Sequence, residues 1–221
     1  KYPVLVPNIF NYPFTYESEI KLQVGDYVKV PFGKSVITGV VWNEFEKTKN
    51  KKFNIKKILE KINIKPLKNE TINFLNLLSE YNLVPKGMCL KLHLLGGEAI
   101  RSFDKKEYDE YNIVDKKTEF KLSTEQKKIL KEVLKNSKDF RVHLLQGTTG
   151  SGKTIVYFRA IEDKLNQGLQ ALILLPEIGL TSEFEKKFKE YFGFNAAVWH
   201  SGITQKRKKI IWSGLSEGKI K

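Results

Sequence analysis

The chain has 221 residues, with 39 Lys and Arg against 25 Asp and Glu, a formal charge of +14 and a pI near 9.6. At about 150 residues per domain this length fits one large or two modest domains, and 41% hydrophobic with 12% aromatic residues excludes a chain disordered throughout. A single cysteine, Cys89, excludes an internal disulfide or a cysteine-rich zinc site, and no apolar run approaches the ~18 residues of a membrane span, so a cytoplasmic protein with no membrane partner is expected.

Neither end reads as a native terminus. Lys1-Tyr2-Pro3 has no initiator Met and no signal core, and Gly218-Lys219-Ile220-Lys221 reads as the beginning of a strand, so a piece of a longer protein is expected. The positive excess suits nucleic acid, because Lys and Arg release condensed counterions from phosphates. It equally suits solubility: the only arginines are Arg101, Arg141, Arg159 and Arg207, and the abundance of Lys, Asn and Ile matches AT-rich coding. Charge alone leaves both readings open.

In chain order, Val4-Leu5-Val6-Pro7, Asp26–Pro31 and Ser35–Trp42 read as strands, with Val30-Pro31-Phe32-Gly33-Lys34 turning a hairpin or barrel corner. Ile55, Ile58, Leu59 and Ile62 recur at helical spacing, as do Ile72, Leu75 and Leu78 after Pro66, which predicts a small β-rich unit over 1–95 that ends in helices. Residues 96–121 lose this order and read as a connector. From Leu122 onward, Arg141–Gln146, Gln170–Leu175 and Ala196–Trp199 as strands alternate with helices at Lys153–Asn166, Leu180–Phe192 and Thr204–Leu215. That alternation predicts an α/β fold over 122–221, a parallel sheet covered by helices. The basic run Lys206-Arg207-Lys208-Lys209 reads either as a solvated helix face or as a DNA contact.

Between the predicted strand at 141–146 and the helix from 153, Gly147-Thr148-Thr149-Gly150-Ser151-Gly152-Lys153-Thr154 fits G-x-x-x-x-G-K-[ST] in full. Glycines at 147, 150 and 152 let the backbone wrap an anion so that N–H groups and a helix N-terminus face phosphates. Lys153 adds a charge against the β and γ phosphates of ATP, and the Thr154 hydroxyl suits Mg²⁺. Only Glu177, after the strand at 171–175, resembles a metal-holding carboxylate, and it sits in Pro176-Glu177-Ile178-Gly179-Leu180-Thr181 rather than at a strand-end Asp. The isolated chain is therefore expected to be catalytically incomplete.

Leu145–Thr154, Gln170–Thr181 and His200-Ser201-Gly202, in that order, closely resemble the start of the helicase core of the PriA (primosomal protein N′) family. Ile9-Phe10-Asn11-Tyr12 and Val28–Lys34 resemble that family's N-terminal 3′-end DNA-binding domain. The resemblance implies a partial RecA-like lobe of a 3′→5′ DNA helicase acting in replication restart, with Gln126 reading adenine and Lys153 and Thr154 carrying the phosphate and Mg²⁺ work. It implies single-stranded DNA along Pro176, Glu177, Gly179 and Thr181, though Pro176 and Gly179 also suit a plain strand-to-helix turn. It places a 3′-end pocket at Phe10, Asn11, Gly33 and Lys56. Phe10 offers a stacking face, or is simply a core aromatic. Where the family commonly has an Asp that accepts from a terminal 3′-hydroxyl, this chain has Asn11.

The family's winged helix does not fit into the 26 residues from Gly96 to Lys121. The chain also ends before the D-E-x-H motif, the second lobe with its arginine finger and the zinc-binding cysteines. Fork DNA, other primosome proteins and single-strand-binding protein are the partners implied. Two rivals remain at this stage: a small-molecule P-loop kinase with Glu177 as metal partner, and a non-catalytic DNA-end-binding module with a vestigial nucleotide loop.

Overall fold

In a computed structural model the chain divides into two compact units, residues 1–103 and 104–221. The structure describes residues 1–45, 54–95, 104–111, 120–135, 140–176 and 181–220. Most of the expected connector at 96–121 lies outside the described residues. Its central part, Lys105–Tyr111, is a 3-10 helix that buries Tyr108 and Tyr111 and belongs to the second unit.

The first unit is a curled six-stranded sheet backed by two helices. Its strands are β1 (Tyr2–Leu5), β2 (Phe14–Glu17), β3 (Tyr27–Phe32), β4 (Ser35–Val41), β5 (Lys56–Lys57) and β6 (Glu60–Lys61), in the order β5-β2-β1-β4-β3-β6. All pairs are antiparallel except β2 with β5. Alternation sorts the side chains: Val4, Val6, Val28, Val30 and Val41 enter the curl with Tyr16 and Leu22, while Leu5, Tyr27 and Val40 take the other face, where Tyr27 meets α2 (Lys86–His93). Phe32 pairs with Ser35 across Gly33-Lys34, and Gly33 has φ +60°, the conformation that the first central residue of a type II′ hairpin turn requires.

The helix expected over Ile55–Ile62 is not formed. These residues are extended, and they bridge the two edges of the sheet: Ile58 N–H donates to Glu17 O at 2.8 Å, Leu59 N–H to Lys29 O at 2.9 Å and Ile62 N–H to Tyr27 O at 2.8 Å. Main-chain donors and acceptors left on β2 and β3 are satisfied this way, and Ile58 packs against the core, which outweighs a helical spacing of β-branched residues. The helix α1 (Asn69–Asn82) forms as expected, burying Ile72 and Leu75.

Tyr27 Oη lies 2.9 Å from Nε2 of His93 beneath α2. Burial holds the His93 imidazole down at about 4, below its ordinary 6.5, and pushes the Tyr27 phenol up. The unfolded chain therefore binds a proton between those values that the folded chain refuses. His93 should thus leave stability intact above pH 6.5 and cost up to about 1.4 kcal/mol per pH unit as the pH falls toward 4. Melting the chain at pH 7 and pH 5 checks this, and His93→Gln should flatten the difference; an unchanged difference in that variant would place the acid sensitivity elsewhere.

In the second unit the helices α4 (Lys153–Asn166), α5 (Thr181–Phe192) and α6 (Gln205–Glu217) fall close to their expected ranges, and they are preceded by α3 (Thr124–Leu134), for which no range was predicted. Phe158 of α4 packs edge-on or tilted against Phe184, Phe188, Tyr191 and Phe192 of α5, with ring centroids 5.1 to 5.8 Å apart. Arg159 ties this core to its surroundings, donating to Glu162 and to Phe120 O, while Tyr191 Oη donates to the same Glu162.

The expected parallel sheet of this unit is absent from the described residues: 141–146, 170–175 and 196–199 have no ladder partners. Val142, Leu144, Leu172 and Leu174 stay 82–90% exposed. A cavity of about 420 Å³, lined by Ile173, Leu175, Ala196, Val198, Ile161 and Phe188, lies where a ladder was expected. Hydrophobic runs declare a strand with two buried faces but do not supply its neighbours, and here the aromatic cluster holds the helices together instead. The strand expected at the end is also not seen: Gly218, at φ +73°, closes α6, and Ile220 N–H returns to Gly214 O at 3.0 Å.

Candidate functional site

The glycine loop stands at the start of α4. Gly150 and Gly152 have φ of +82° and +80°, a left-handed conformation that glycine adopts without strain, and Ser151 N–H donates back to Thr148 O at 3.2 Å. The Lys153 side chain returns across the loop, and its ammonium donates to Gly147 O and Thr148 O, both at 2.8 Å. An ammonium has three donors, so one remains for an anion held by the loop. Thr148, Thr149 and Gly150 are exposed, and Thr154 is half-buried at the first turn of α4.

Gln126 joins this loop to α3. Its Oε1 accepts from Ser123 N–H at 2.9 Å and its own N–H donates to Ser123 Oγ at 3.2 Å, a capping box, while Nε2 donates to Ser151 O at 3.3 Å. A β-carbon at Gly152 would meet that amide nitrogen, which a shift of the flexible Gln126 side chain relieves, so it is the backbone conformation that calls for glycine. The structure thus brings Gln126 and the residues Gly147–Thr154 together.

Among the described residues no group of three or more His, Cys, Asp and Glu could hold a metal. The loop's left-handed glycines and the spare Lys153 donor fit a nucleotide's phosphates, and a magnesium ion there would draw its remaining oxygens from those phosphates and Thr154. Glu177 and Gly179 lie outside the described residues, as does the Thr181 side chain; Pro176 is exposed. His200-Ser201-Gly202 forms a local turn, with Gly202 N–H donating to His200 Nδ1 at 3.1 Å. In the basic run, Arg207 lies 3.6 Å from Glu110 and Lys206 3.8 Å from Glu107, both exposed surface pairs.

The first unit carries an aromatic ledge. Phe10, Tyr12 and Phe14 lie within 5.3–5.5 Å of one another by ring centroid, and Phe14 continues to Phe32, 5.3 Å away, beside the Gly33 turn. Phe10 is 37% exposed, so it is neither a core residue nor a free one. A side chain at Gly33 would meet nothing within 4 Å, which makes its role conformational. Lys56 is exposed on β5 opposite Tyr16, two residues along β2 from Phe14.

The ledge is held from below by α2. Gly87 N–H donates to Phe10 O at 3.1 Å, and Lys86 N–H donates to Asn11 Oδ1 at 3.0 Å. Reading the sequence missed Tyr12 as a ring of this ledge, although aromatics at 10, 12 and 14 alternate as one face of an extended segment does. Nothing local could have revealed Lys86 and Gly87, which approach only through the tertiary fold.

Two family models match the chain: the 3'DNA-binding domain (3'BD) over residues 3–94, which contains the ledge, and the DEAD/DEAH box helicase over residues 123–220, which contains the glycine loop. Proteins named Replication restart protein PriA align along almost all of it. That of Rickettsia conorii is 31% identical over 223 residues, which cover 99% of this chain and 33% of the relative. Those of Rickettsia felis and Helicobacter pylori are each 33% identical, over 99% and 95% of this chain and 33% and 31% of the relative. Over nearly its whole length the chain is similar to PriA proteins. It spans about a third of the length of these PriA relatives. No helix among the described residues is long and apolar enough to cross a membrane.

Proposed function

We propose that the chain is the N-terminal part of an ATP-dependent 3′→5′ DNA helicase of replication restart, holding a 3′ strand end on the ledge of its first unit and magnesium ATP at the glycine loop of its second. The observation that carries this reading is the Lys153 ammonium laid across Gly147 O and Thr148 O with a donor to spare, on one chain with a unit that matches a 3'DNA-binding domain. Gly147–Gly152 would cradle the phosphates, Lys153 would bind the β and γ groups and Thr154 would ligate the metal. Bound ATP supplies the free energy of movement, and the chain's residues orient and shield its phosphates.

Gln126 would reach the adenine by giving up its bond to Ser151 O, since an amide offers both a donor and an acceptor to the base edge. Pro176, Glu177, Gly179 and Thr181 would lie along single-stranded DNA. The second unit would complete a RecA-like lobe with a parallel sheet in the whole protein, and fork DNA, primosome proteins and single-strand-binding protein would be partners of that whole. Phe10, Asn11, Gly33 and Lys56 would form the end pocket, with Tyr12 widening its stacking face.

Titrating a 3′-ended single strand into the chain, followed by fluorescence anisotropy, tests the DNA half. Phe10→Ala should weaken binding about 5- to 150-fold, the value of one base–aromatic stack, and leave nucleotide binding unchanged. Equal affinity in the variant would remove Phe10 from the pocket and the ledge from the proposed function.

A further inference from the structure

The fold fixes which way the Asn11 amide faces. Oδ1 sits 3.0 Å from the main-chain N–H of Lys86, which can only donate, so the atom turned toward α2 is the carbonyl oxygen and Nδ2 lies on the opposite side. Ser79 Oγ approaches the same oxygen at 3.3 Å, but its single proton goes to Val84 O at 2.6 Å. Nδ2 makes no hydrogen bond among the described residues, and Asn11 is exposed. Beside it, the backbone of Phe10 is already engaged, its N–H by Asn8 Oδ1 at 2.8 Å and its carbonyl by Gly87. What the surface next to the Phe10 ring offers a ligand is therefore a pair of amide donors.

Charge on the same segment agrees. Asn8-Ile9-Phe10-Asn11-Tyr12-Pro13 contains no acid, and Glu44 is paired with Lys86 at the start of α2. A terminal hydroxyl both donates and accepts, but a terminal phosphate at neutral pH is chiefly the acceptor-only dianion and carries between about −1.5 and −2 charges. A carboxylate at position 11 would repel that group, whereas a carboxamide with its nitrogen outward binds it.

We propose that Asn11 makes the strand-end site receptive to a 3′-terminal phosphate, through hydrogen bonds donated by Nδ2, rather than restricting it to a 3′-hydroxyl. The proposal rests on the reading of the first unit as a strand-end site. It predicts a protein able to hold ends left by cleavage chemistry that leaves the phosphate on the 3′ side, as well as ends left by a polymerase.

The test compares one oligonucleotide bearing a 3′-hydroxyl, a 3′-phosphate, or no end because it is circular, each titrated against the whole chain at low salt. The 3′-phosphate strand should bind at least as tightly as the 3′-hydroxyl strand, up to about tenfold tighter given a charge-assisted bond. Asn11→Asp keeps an acceptor for Lys86 N–H and should shift the preference at least about tenfold toward the hydroxyl. A wild-type preference for the hydroxyl, or an unshifted preference in a folded Asn11→Asp variant, would overturn the proposal. If neither linear strand outbinds the circle, the strand-end reading itself fails, a result separable from the first two because it needs no comparison between end groups.

Discussion

Replacing Lys153 with Ala is expected to abolish the heat of magnesium-ATP binding in calorimetry while leaving 3′-end binding by the first unit intact. The ammonium donates two hydrogen bonds at 2.8 Å to Gly147 O and Thr148 O, both on exposed residues. Water can replace those bonds when the side chain is removed, so the fold should lose less than about 1 kcal/mol. The nucleotide loses far more. A charge-assisted hydrogen bond to phosphate is worth about 1.5–3 kcal/mol, which converts to roughly 10- to 150-fold in affinity. Loss of the ligand for the triphosphate also removes the partner that a magnesium ion needs, because the described residues contain no acidic cluster to hold one alone. Undiminished heat would show that the loop is not the nucleotide site. Comparable loss of DNA-end binding would show that the two units do not act as separate modules.

How much of this was readable beforehand depended on whether a feature is specified locally. The β3–β4 hairpin was readable because alternation and the Gly33-Lys34 turn lie in one short stretch. So was α4, whose start is set by the glycine loop and whose end is set by Gly168, at φ +78°. Ile55, Ile58, Leu59 and Ile62 misled because their spacing fits a helix, and their actual partners, Glu17, Tyr27 and Lys29, are remote in sequence. The short β2 gave little alternation to read, yet it carries Phe14, the ring that connects Phe10 to Phe32. In the second unit α4, α5 and α6 were legible from their alternation with apolar runs, while the runs Arg141–Gln146, Gln170–Leu175 and Ala196–Trp199 showed strand character without naming a neighbour.

The candidate site divides in the same way. The loop Gly147–Thr154 could be singled out from the motif, because a glycine-rich loop at a helix start is a contiguous backbone device. Gln126 reaches the loop only through the Ser151 carbonyl, a contact made across 25 residues of sequence. Asn11 could be singled out in the sequence, but not the orientation of its amide, which Lys86 N–H sets from 75 residues away.

Gly87→Ala should cause the other large effect, a loss of both stability and end binding in the first unit with nucleotide binding untouched. A β-carbon at Gly87 would lie 2.5 Å from Asn8 O and 2.7 Å from Val6 O, both main-chain atoms that cannot rotate away. Either α2 or the segment 6–11 must retreat. Retreat breaks the Gly87 N–H bond to Phe10 O and the Lys86 N–H bond to Asn11 Oδ1, and it loosens Cys89 and Leu90, both buried on the same helix. Overpacking costs about 1–3 kcal/mol and each lost hydrogen bond about 1 kcal/mol, so the sum is roughly 3–5 kcal/mol. For a unit of this size that corresponds to a fall in melting temperature of about 12–40 °C. Gly33→Ala supplies the contrast: its β-carbon meets open space, and its cost is confined to holding φ +60° in a residue with a side chain, about 1–2 kcal/mol. Thermal melts of the two variants beside 3′-end titrations separate the cases. A Gly87→Ala protein that melts and binds like the wild type would mean that the ledge stands without α2, and the physical link between that helix and the Phe10 platform would be lost.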